Sequence, residues 1–116
     1  LEDENILVNP TAVRIPAFFG HSEAVHIETR DKISAADVSA LLAKSPGIEV
    51  LDGLETGEYP TAVTESSGTD PVFVGRIRED ISHPRGIDLW VVADNIRKGA
   101  ALNSVQIAEI LAKNYL

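Results

Sequence analysis

The sequence predicts an α+β domain with a mostly antiparallel sheet and two helices, in the order β-β-α-β-β-β-α. Five short segments alternate apolar and polar residues or form continuous apolar runs, as strands do. Two further segments space their apolar residues three and four positions apart, as the buried stripe of a helix requires. At 116 residues, without repeats or a linker, the chain has the length of one domain.

The first two predicted strands precede residue 30. Residues 13–17 alternate in polarity, and because Pro16 cannot donate to a ladder, this strand is expected at a sheet edge or a bulge. Gly20 interrupts the pattern. Residues 25–29 then alternate again, which predicts a half-buried strand with a charged outer face.

The first helix is predicted to begin after Ser34, because Asp37 follows at the spacing of a capping box. Its apolar stripe consists of Val38, Leu41 and Leu42. The Ser-Pro-Gly sequence at 45–47 ends this helix, and residues 48–51 form a short strand.

A polar segment, residues 52–71, follows and contains three glycines and two prolines with little periodicity. A loop of this length in a compact domain is usually functional or an interface arm. A solvated surface loop is the alternative interpretation.

Two strands are predicted after this segment, at residues 72–78 and 87–93. The apolar run at 89–93 indicates a strand that is covered on both faces. Arg76 and Arg78 place charges on one face of the earlier strand. Such a face is more often solvated or part of an interface than a catalytic site.

The second helix is predicted from about Ile96 to Lys113, after a cap at Asp94 or Asn95. Its apolar face is wider than a single contact with a sheet requires. We therefore expect this helix to be buried on more than one side.

The first turn of this helix is a candidate anion site, because its backbone N–H groups lack partners within the helix. Arg97 and Lys98 lie there although cations oppose the helix dipole, a cost that an anionic ligand would offset. In the alternative interpretation both side chains extend into solvent. Gly99 costs about 1 kcal/mol relative to alanine, which is consistent with close approach by a ligand or another backbone.

Composition limits the partners. The net charge of −8 argues against nucleic acid or an anionic membrane as the main partner. No apolar run could span a bilayer, and the acidic start is unlike a signal peptide. The chain has no cysteine, which excludes disulfides and thiolates within it and, without an export signal, points to the cytoplasm. His26 and His83 lack the spacing of a metal site, so no metal is expected.

Arg14, His21 and Glu23 form the main candidate for chemistry. A guanidinium binds a carboxylate with two hydrogen bonds, and a histidine exchanges protons near neutral pH. On a straight strand Arg14 and His21 would face opposite ways, so they converge only if Pro16 or Gly20 bends the chain. An exposed arginine and a structural histidine are the alternative.

Three segments resemble one family. Residues 14–25, RIPAFFGHSEAV, resemble the RxPxxxGHSEAV segment of bacterial aspartate-semialdehyde dehydrogenases. Residues 73–80 resemble a later strand, and residues 89–109 resemble the C-terminal strand and helix. The resemblance implies that residues 1–116 are the C-terminal portion of a catalytic and dimerisation domain like that of glyceraldehyde-3-phosphate dehydrogenase, with the Rossmann nucleotide-binding half absent.

Members of that family reduce L-aspartyl 4-phosphate to L-aspartate 4-semialdehyde with NADPH, through a thioester on a cysteine. The reaction belongs to the biosynthetic pathway to lysine, methionine and threonine. The resemblance assigns Arg14 to the substrate carboxylate, His21 to acid–base catalysis and Asn95 to the NADP site, with Glu23 in support. It also implies a homodimer or homotetramer, and a final helix that packs on the nucleotide-binding half.

The chain begins at Leu1 and has no methionine, so we expect a piece of a longer protein. Without a cysteine or a glycine-rich dinucleotide turn, it is expected to be inactive alone. A non-catalytic paralogue or dimerisation module is one alternative. N-acetyl-glutamyl-phosphate reductase is another, although the GHSEAV wording favours the aspartyl enzyme.

Overall fold

A computed structural model describes residues 3–53 and 55–116. Its sheet has four strands in the order β1-β4-β3-β2. The strands are β1 His21–Glu28, β2 Ile48–Val50, β3 Val72–Glu79 and β4 Gly86–Ala93. The β1–β4 and β3–β4 pairs are antiparallel, whereas β2 runs parallel to β3. The sheet is therefore mixed but mostly antiparallel, which confirms the predicted α+β class.

Two α-helices accompany the sheet, α1 at Ala35–Leu42 and α2 at Leu102–Tyr115. The predicted cap of α1 is confirmed, because the Ser34 hydroxyl accepts a hydrogen bond from the Asp37 backbone N–H at 3.1 Å. Two π-helical turns occur at Ala62–Ser66 and Arg97–Ala101. No helix among the described residues is long and apolar enough to cross a bilayer.

The predicted strand at 13–17 is wrong, and the observed order is β-α-β-β-β-α. Residues 11–19 are exposed and irregular. The β1–β4 ladder begins with the pair His21–Ala93, and beyond Ala93 the chain turns towards the last helix. Among the described residues there is therefore no strand for the segment before His21 to pair with, and Pro16 lacks an N–H to donate.

The core lies between α1 and one face of the sheet. Its buried members are Val74, Ile77, Ile87 and Leu89. Val38 and Leu42 of α1 pack against this cluster, as predicted, whereas Leu41, the third member of the predicted stripe, is 61% exposed. Burial of such side chains contributes about 1.5–3 kcal/mol each, so this cluster is a main source of the stability of the domain.

Part of the segment 52–71 covers the opposite face of the sheet. Pro60 and Ser66 are fully buried, and the Trp90 indole N–H donates to the Pro60 carbonyl at 2.9 Å. A Cβ at Gly75 would lie 2.7 Å from Pro60 Cδ, which shows how closely the segment contacts β3. This part of the segment is packed structure, so the solvated-loop interpretation is wrong for it.

A β-bulge interrupts β3 between Gly75 and Arg78. Arg76 adopts a positive φ of 54° there. The carboxylate of Asp52 accepts hydrogen bonds from the backbone N–H groups of Arg76 and Ile77, both at 2.9 Å. These bonds replace the ladder bonds that the bulge removes.

The environment of the second helix differs from the prediction. It was expected to be buried on more than one side, yet no residue of α2 is buried. Val105, Ile107, Ile110 and Leu111 are between 50% and 57% exposed. An apolar pattern shows that a helix face packs against something, but it does not show which segment packs there. None of the described residues packs over this face of α2.

Candidate functional site

The chain bends at Gly20, immediately before His21 begins β1. Gly20 has a φ of 90°, in the region that favours glycine. Its backbone N–H donates to Oδ1 of Asn95 at 2.8 Å. The chain also turns at Pro16, where the Ala17 N–H donates to the Ile15 carbonyl at 2.9 Å. Both positions named by the sequence therefore change the chain direction, and Asn95 holds the one at Gly20.

His21 and Glu23 form a hydrogen-bonded pair. They lie two residues apart on β1 and so project from the same face, with His21 Nε2 and Glu23 Oε1 2.7 Å apart. Both side chains are more than half exposed, at 62% and 52%. When Nε2 donates to this carboxylate, Nδ1 of the neutral ring can accept a proton. The pair is thus suited to general acid–base chemistry on a molecule approaching from solvent.

Arg14 does not join this pair. It lies in the exposed segment before β1, and within residues 3–53 and 55–116 the structure gives its side chain no hydrogen bond or ion pair. The structure thus pairs His21 with Glu23 and places the Asn95 side chain on the backbone of Gly20, the residue before His21. The role of Arg14 stays a prediction.

The candidate anion site at the start of the last helix is occupied by the chain's own carboxylate. Oδ1 of the buried Asp94 accepts from the N–H groups of Ile96 and Arg97, both at 2.8 Å. Its Oδ2 accepts from the Gly68 N–H at 2.7 Å. Hydrogen bonds from the backbone of Arg97 and Gly68 lower the pKa of Asp94. These N–H groups are therefore not available to a ligand, and Asp94 rather than Asn95 is the cap.

The two cations after this cap also have partners in the chain. Nε of Arg97 contacts Oδ1 of Asp70 at 2.6 Å, and Nζ of Lys98 donates to Oε1 of Gln106 at 2.7 Å. A Cβ at Gly99 would approach only the Asn95 Cβ, at an ordinary 4.0 Å. The close approach expected at Gly99 is thus not found in the described part of the chain.

Sequence reasoning missed a second group of polar side chains, on the face of the sheet that points away from α1. His26 Nδ1 lies 3.0 Å from Asp88 Oδ1, and Arg78 Nη2 lies 3.6 Å from Asp88 Oδ2. The hydrogen bond with Asp88 raises the pKa of His26. An open hollow of about 750 Å³ surrounds this group. We call this region the open sheet face, and it includes Ala24, His26, Tyr59, Arg78, Asp88 and Trp90.

The only sequence signal for the open sheet face was alternation, which placed His26 and Arg78 on polar faces of separate strands. Pairing the two through Asp88 requires the strand register, which alternation does not reveal. Among the described residues there is no group of three or more side chains suited to hold a metal ion.

Residues 1–98 match the family model described as semialdehyde dehydrogenase, dimerisation domain. The chain belongs to this family. A relative named aspartate-semialdehyde dehydrogenase from a Shewanella species is 68% identical over 97% of the chain, and one of the same name from Legionella pneumophila is 61% identical over 100%. In both comparisons the chain covers 33% of the relative, so it spans about a third of their length.

Solved structures agree with the family and the fold. The crystal structure of aspartate semialdehyde dehydrogenase II from Vibrio cholerae has a TM-score of 0.90 and 55% identity, covering 98% of this chain and 33% of that chain. The resemblance inferred from the three sequence segments is therefore confirmed.

The dimerisation-domain match includes His21, Glu23 and Asn95 but ends at residue 98, before α2 begins. The relative from Legionella pneumophila, in contrast, matches over all 116 residues. The candidate site thus lies inside the part of the chain that defines the family.

Proposed function

We propose that this dimerisation domain is the C-terminal third of an enzyme that reduces L-aspartyl 4-phosphate to L-aspartate 4-semialdehyde with NADPH. The observation that carries the proposal is the His21–Glu23 pair, at 2.7 Å, in a chain 68% identical to a relative named aspartate-semialdehyde dehydrogenase. Such an enzyme serves amino-acid biosynthesis and belongs in the cytoplasm.

In this proposal His21 moves a proton to or from the reacting carbonyl region of the substrate. Glu23 fixes the orientation of the imidazole and stabilises its charged form, as a carboxylate partner does for a catalytic histidine. Arg14 holds the substrate carboxylate, since its exposed guanidinium offers a planar set of donors. The chain contains no cysteine, so the thiol nucleophile belongs to another part of the whole protein.

NADPH, when bound, supplies the hydride. Asn95 is exposed, and its Oδ1 is already engaged by the Gly20 N–H, so Nδ2 is the atom that can donate to the cofactor. One such contact fits a polar group of a dinucleotide. Arg97 contacts Asp70 instead, so it is not assigned to the cofactor.

The test uses the full-length protein that contains these residues. His21→Ala is expected to lower kcat by about a hundredfold or more, because proton transfer loses its carrier. Arg14→Lys is expected mainly to raise the KM of the acidic substrate, because a lysine cannot hold a carboxylate with two parallel bonds. His83→Ala, which removes a histidine outside the site, is the control.

Unchanged kinetics in His21→Ala would remove this histidine from the mechanism. Comparison of the two acyl phosphates decides the substrate. A preference for N-acetyl-glutamyl phosphate over aspartyl phosphate would assign the chain to the related reductase instead. No turnover by the wild-type full-length protein with either substrate would favour a non-catalytic paralogue.

We also propose that the open sheet face is the contact between two copies in a homodimer, from which a tetramer could be built. The family is described as a dimerisation domain, and this face combines Trp90, Tyr59 and Arg78 around an open hollow. Tryptophan, tyrosine and arginine are the residues that most often dominate binding energy at protein interfaces.

Sedimentation of two matched variants tests this surface. Ala24→Arg places a long charged side chain in the hollow and is expected to give a monomer. Ala108→Arg makes the same change on the exposed α2 and is expected to leave the dimer intact. The reverse result would place the interface on α2.

A further inference from the structure

We propose that Asn95 is a positioning residue for His21, acting through the backbone of Gly20. The effect of this positioning on catalysis rests on the acid–base role proposed for His21. Positioning is distinct from a contact between Asn95 and the cofactor, because the two roles use different atoms of the same amide. Oδ1 accepts from Gly20, whereas a cofactor contact falls to Nδ2.

The hydrogen bond between Asn95 and Gly20 extends the β1–β4 ladder past its last pair. The last pair of the ladder is His21–Ala93, so Gly20 lies one residue before the start of β1 and Asn95 lies two residues after the end of β4. The bond of 2.8 Å between Asn95 and Gly20 joins the two chain segments where they leave the sheet. It fixes the peptide group between Phe19 and Gly20, one residue before His21, and thereby restrains the backbone from which the imidazole extends.

Lack of space makes this arrangement specific. A Cβ on Gly20 would lie 2.5 Å from the Cβ of Ala62, so the bend is in tight contact with the π-helical turn Ala62–Ser66. That turn is itself fixed, because the Ser66 hydroxyl donates to the Ala62 carbonyl and Ser66 is fully buried. Gly20 is thus held from one side by Asn95 and from the other by Ala62.

Asn95 is not needed to cap the helix that follows it. Asp94 already accepts from the N–H groups of Ile96 and Arg97, and it also binds Gly68. The side chain of Asn95 is exposed and directed to Gly20 across 75 residues of sequence. Its one hydrogen bond within the described residues serves the start of β1, next to the candidate proton-transfer group.

Amide hydrogen exchange of the 116-residue chain, followed by NMR, tests the positioning itself. In Asn95→Ala the Gly20 amide is expected to exchange roughly tenfold faster, which is the value of one lost hydrogen bond. Contacts between the His21 ring and the Glu23 side chain, measured as NOEs, are expected to weaken. Asn95→Asp retains the acceptor oxygen and is expected to restore both signals.

Asn103→Ala is the matched control, because this exposed asparagine lies on α2. If Gly20 exchange and the His21–Glu23 contacts are unchanged in Asn95→Ala, the inference is overturned. This measurement does not depend on catalysis. A failure of the proposed enzyme function, seen as full turnover in His21→Ala, would therefore leave it standing as a statement about His21 geometry.

Kinetics of the full-length enzyme test the consequence. Asn95→Ala is expected to lower kcat between about ten- and a hundredfold at saturating substrate and cofactor, because a misplaced reacting group costs that much. Asn95→Asp is expected to recover most of the kcat. A raised KM for NADPH with kcat intact would show that Asn95 only binds the cofactor, and would overturn the proposal.

Discussion

Asp52 stabilises the β-bulge of β3 with a single carboxylate. Its oxygens accept from Arg76 and Ile77, and the Ile77 side chain is buried in the core. We expect Asp52→Ala to reduce the free energy of unfolding by about 1–3 kcal/mol, because two backbone donors lose their acceptor. Urea denaturation measures the change. Asp31→Ala, at an exposed carboxylate, should stay within about 0.5 kcal/mol of the wild type.

Gly75 is required by the close approach of its neighbours. An added Cβ would collide with the Leu51 carbonyl oxygen and lie 2.7 Å from Pro60 Cδ. Gly75→Ala is therefore expected to destabilise the domain by about 1–3 kcal/mol in thermal unfolding. Gly99→Ala is its counterpart, because the space there is open and alanine favours helix by up to about 1 kcal/mol. Equal effects of the two changes would contradict the close approach at Gly75.

At the scale of single residues, local interactions were predictable and distant ones were not. The cap by Ser34 follows from a spacing of three residues. The shared face of His21 and Glu23 was not predicted, because the expected strand began at Val25, whereas β1 begins at His21. The bond between Asn95 and Gly20 joins residues that lie 75 positions apart in the sequence, and no local pattern encodes it. Asp94 was one of the two predicted caps of the last helix. The anion site expected at the same helix start was wrong, because the Asp94 carboxylate already accepts from the N–H groups that a ligand would use.

The ladder between β1 and β4 contains a pH-dependent pair. His26 contacts Asp88, with Glu28 and Asp80 close enough to add to the effect and Arg78 on the other oxygen of Asp88. Asp88 raises the pKa of His26 above its ordinary 6.5. Since the folded value is the higher one, the contribution of His26 to stability is full below pH 6.5 and is lost as the pH rises through the folded pKa.

Urea midpoints measured at several pH values check this pair. The wild type is expected to lose stability above pH 6.5 more than His26→Gln does, because glutamine has no proton to release. His83→Gln changes the other histidine near Glu28 and serves as the control. The same pH dependence in wild type and His26→Gln would contradict the contribution of His26.

Elements were predicted more accurately than their pairing. The bounds of α1, β3 and β4 agree with the sequence patterns to within a few residues, because periodicity reports the buried face directly. The parallel pairing of β2 with β3 could not be derived, because alternation is the same in both directions. The strand at 13–17 failed for a different reason. Residues 13–17 do alternate in polarity, but β4 ends at Ala93 and does not extend far enough to pair with them.

For the molecule as a whole, stability is unevenly distributed. The sheet and α1 share the core, whereas α2 continues from the π-helical turn Arg97–Ala101 with its apolar side chains half exposed. We expect amide exchange in β4 to be slow, requiring global unfolding, and exchange in α2 to be fast, through local fraying. If α2 were as protected as β4 in dilute solution, the helix would be covered by another copy, and its protection would depend on protein concentration.

The strand order β1-β4-β3-β2 also bears on the sequence of events during folding. Residues 80–85 join β3 to β4, so this hairpin can close early and at low entropic cost. Within the part of the chain that the structure describes, β1 pairs only with β4, a strand distant in sequence, so we expect this contact to form slowly. Only after β1 has docked can Asn95 reach Gly20. We therefore expect a refolding chain to contain the hairpin before His21 and Glu23 reach their final geometry, so the candidate site would be the last part of the domain to mature.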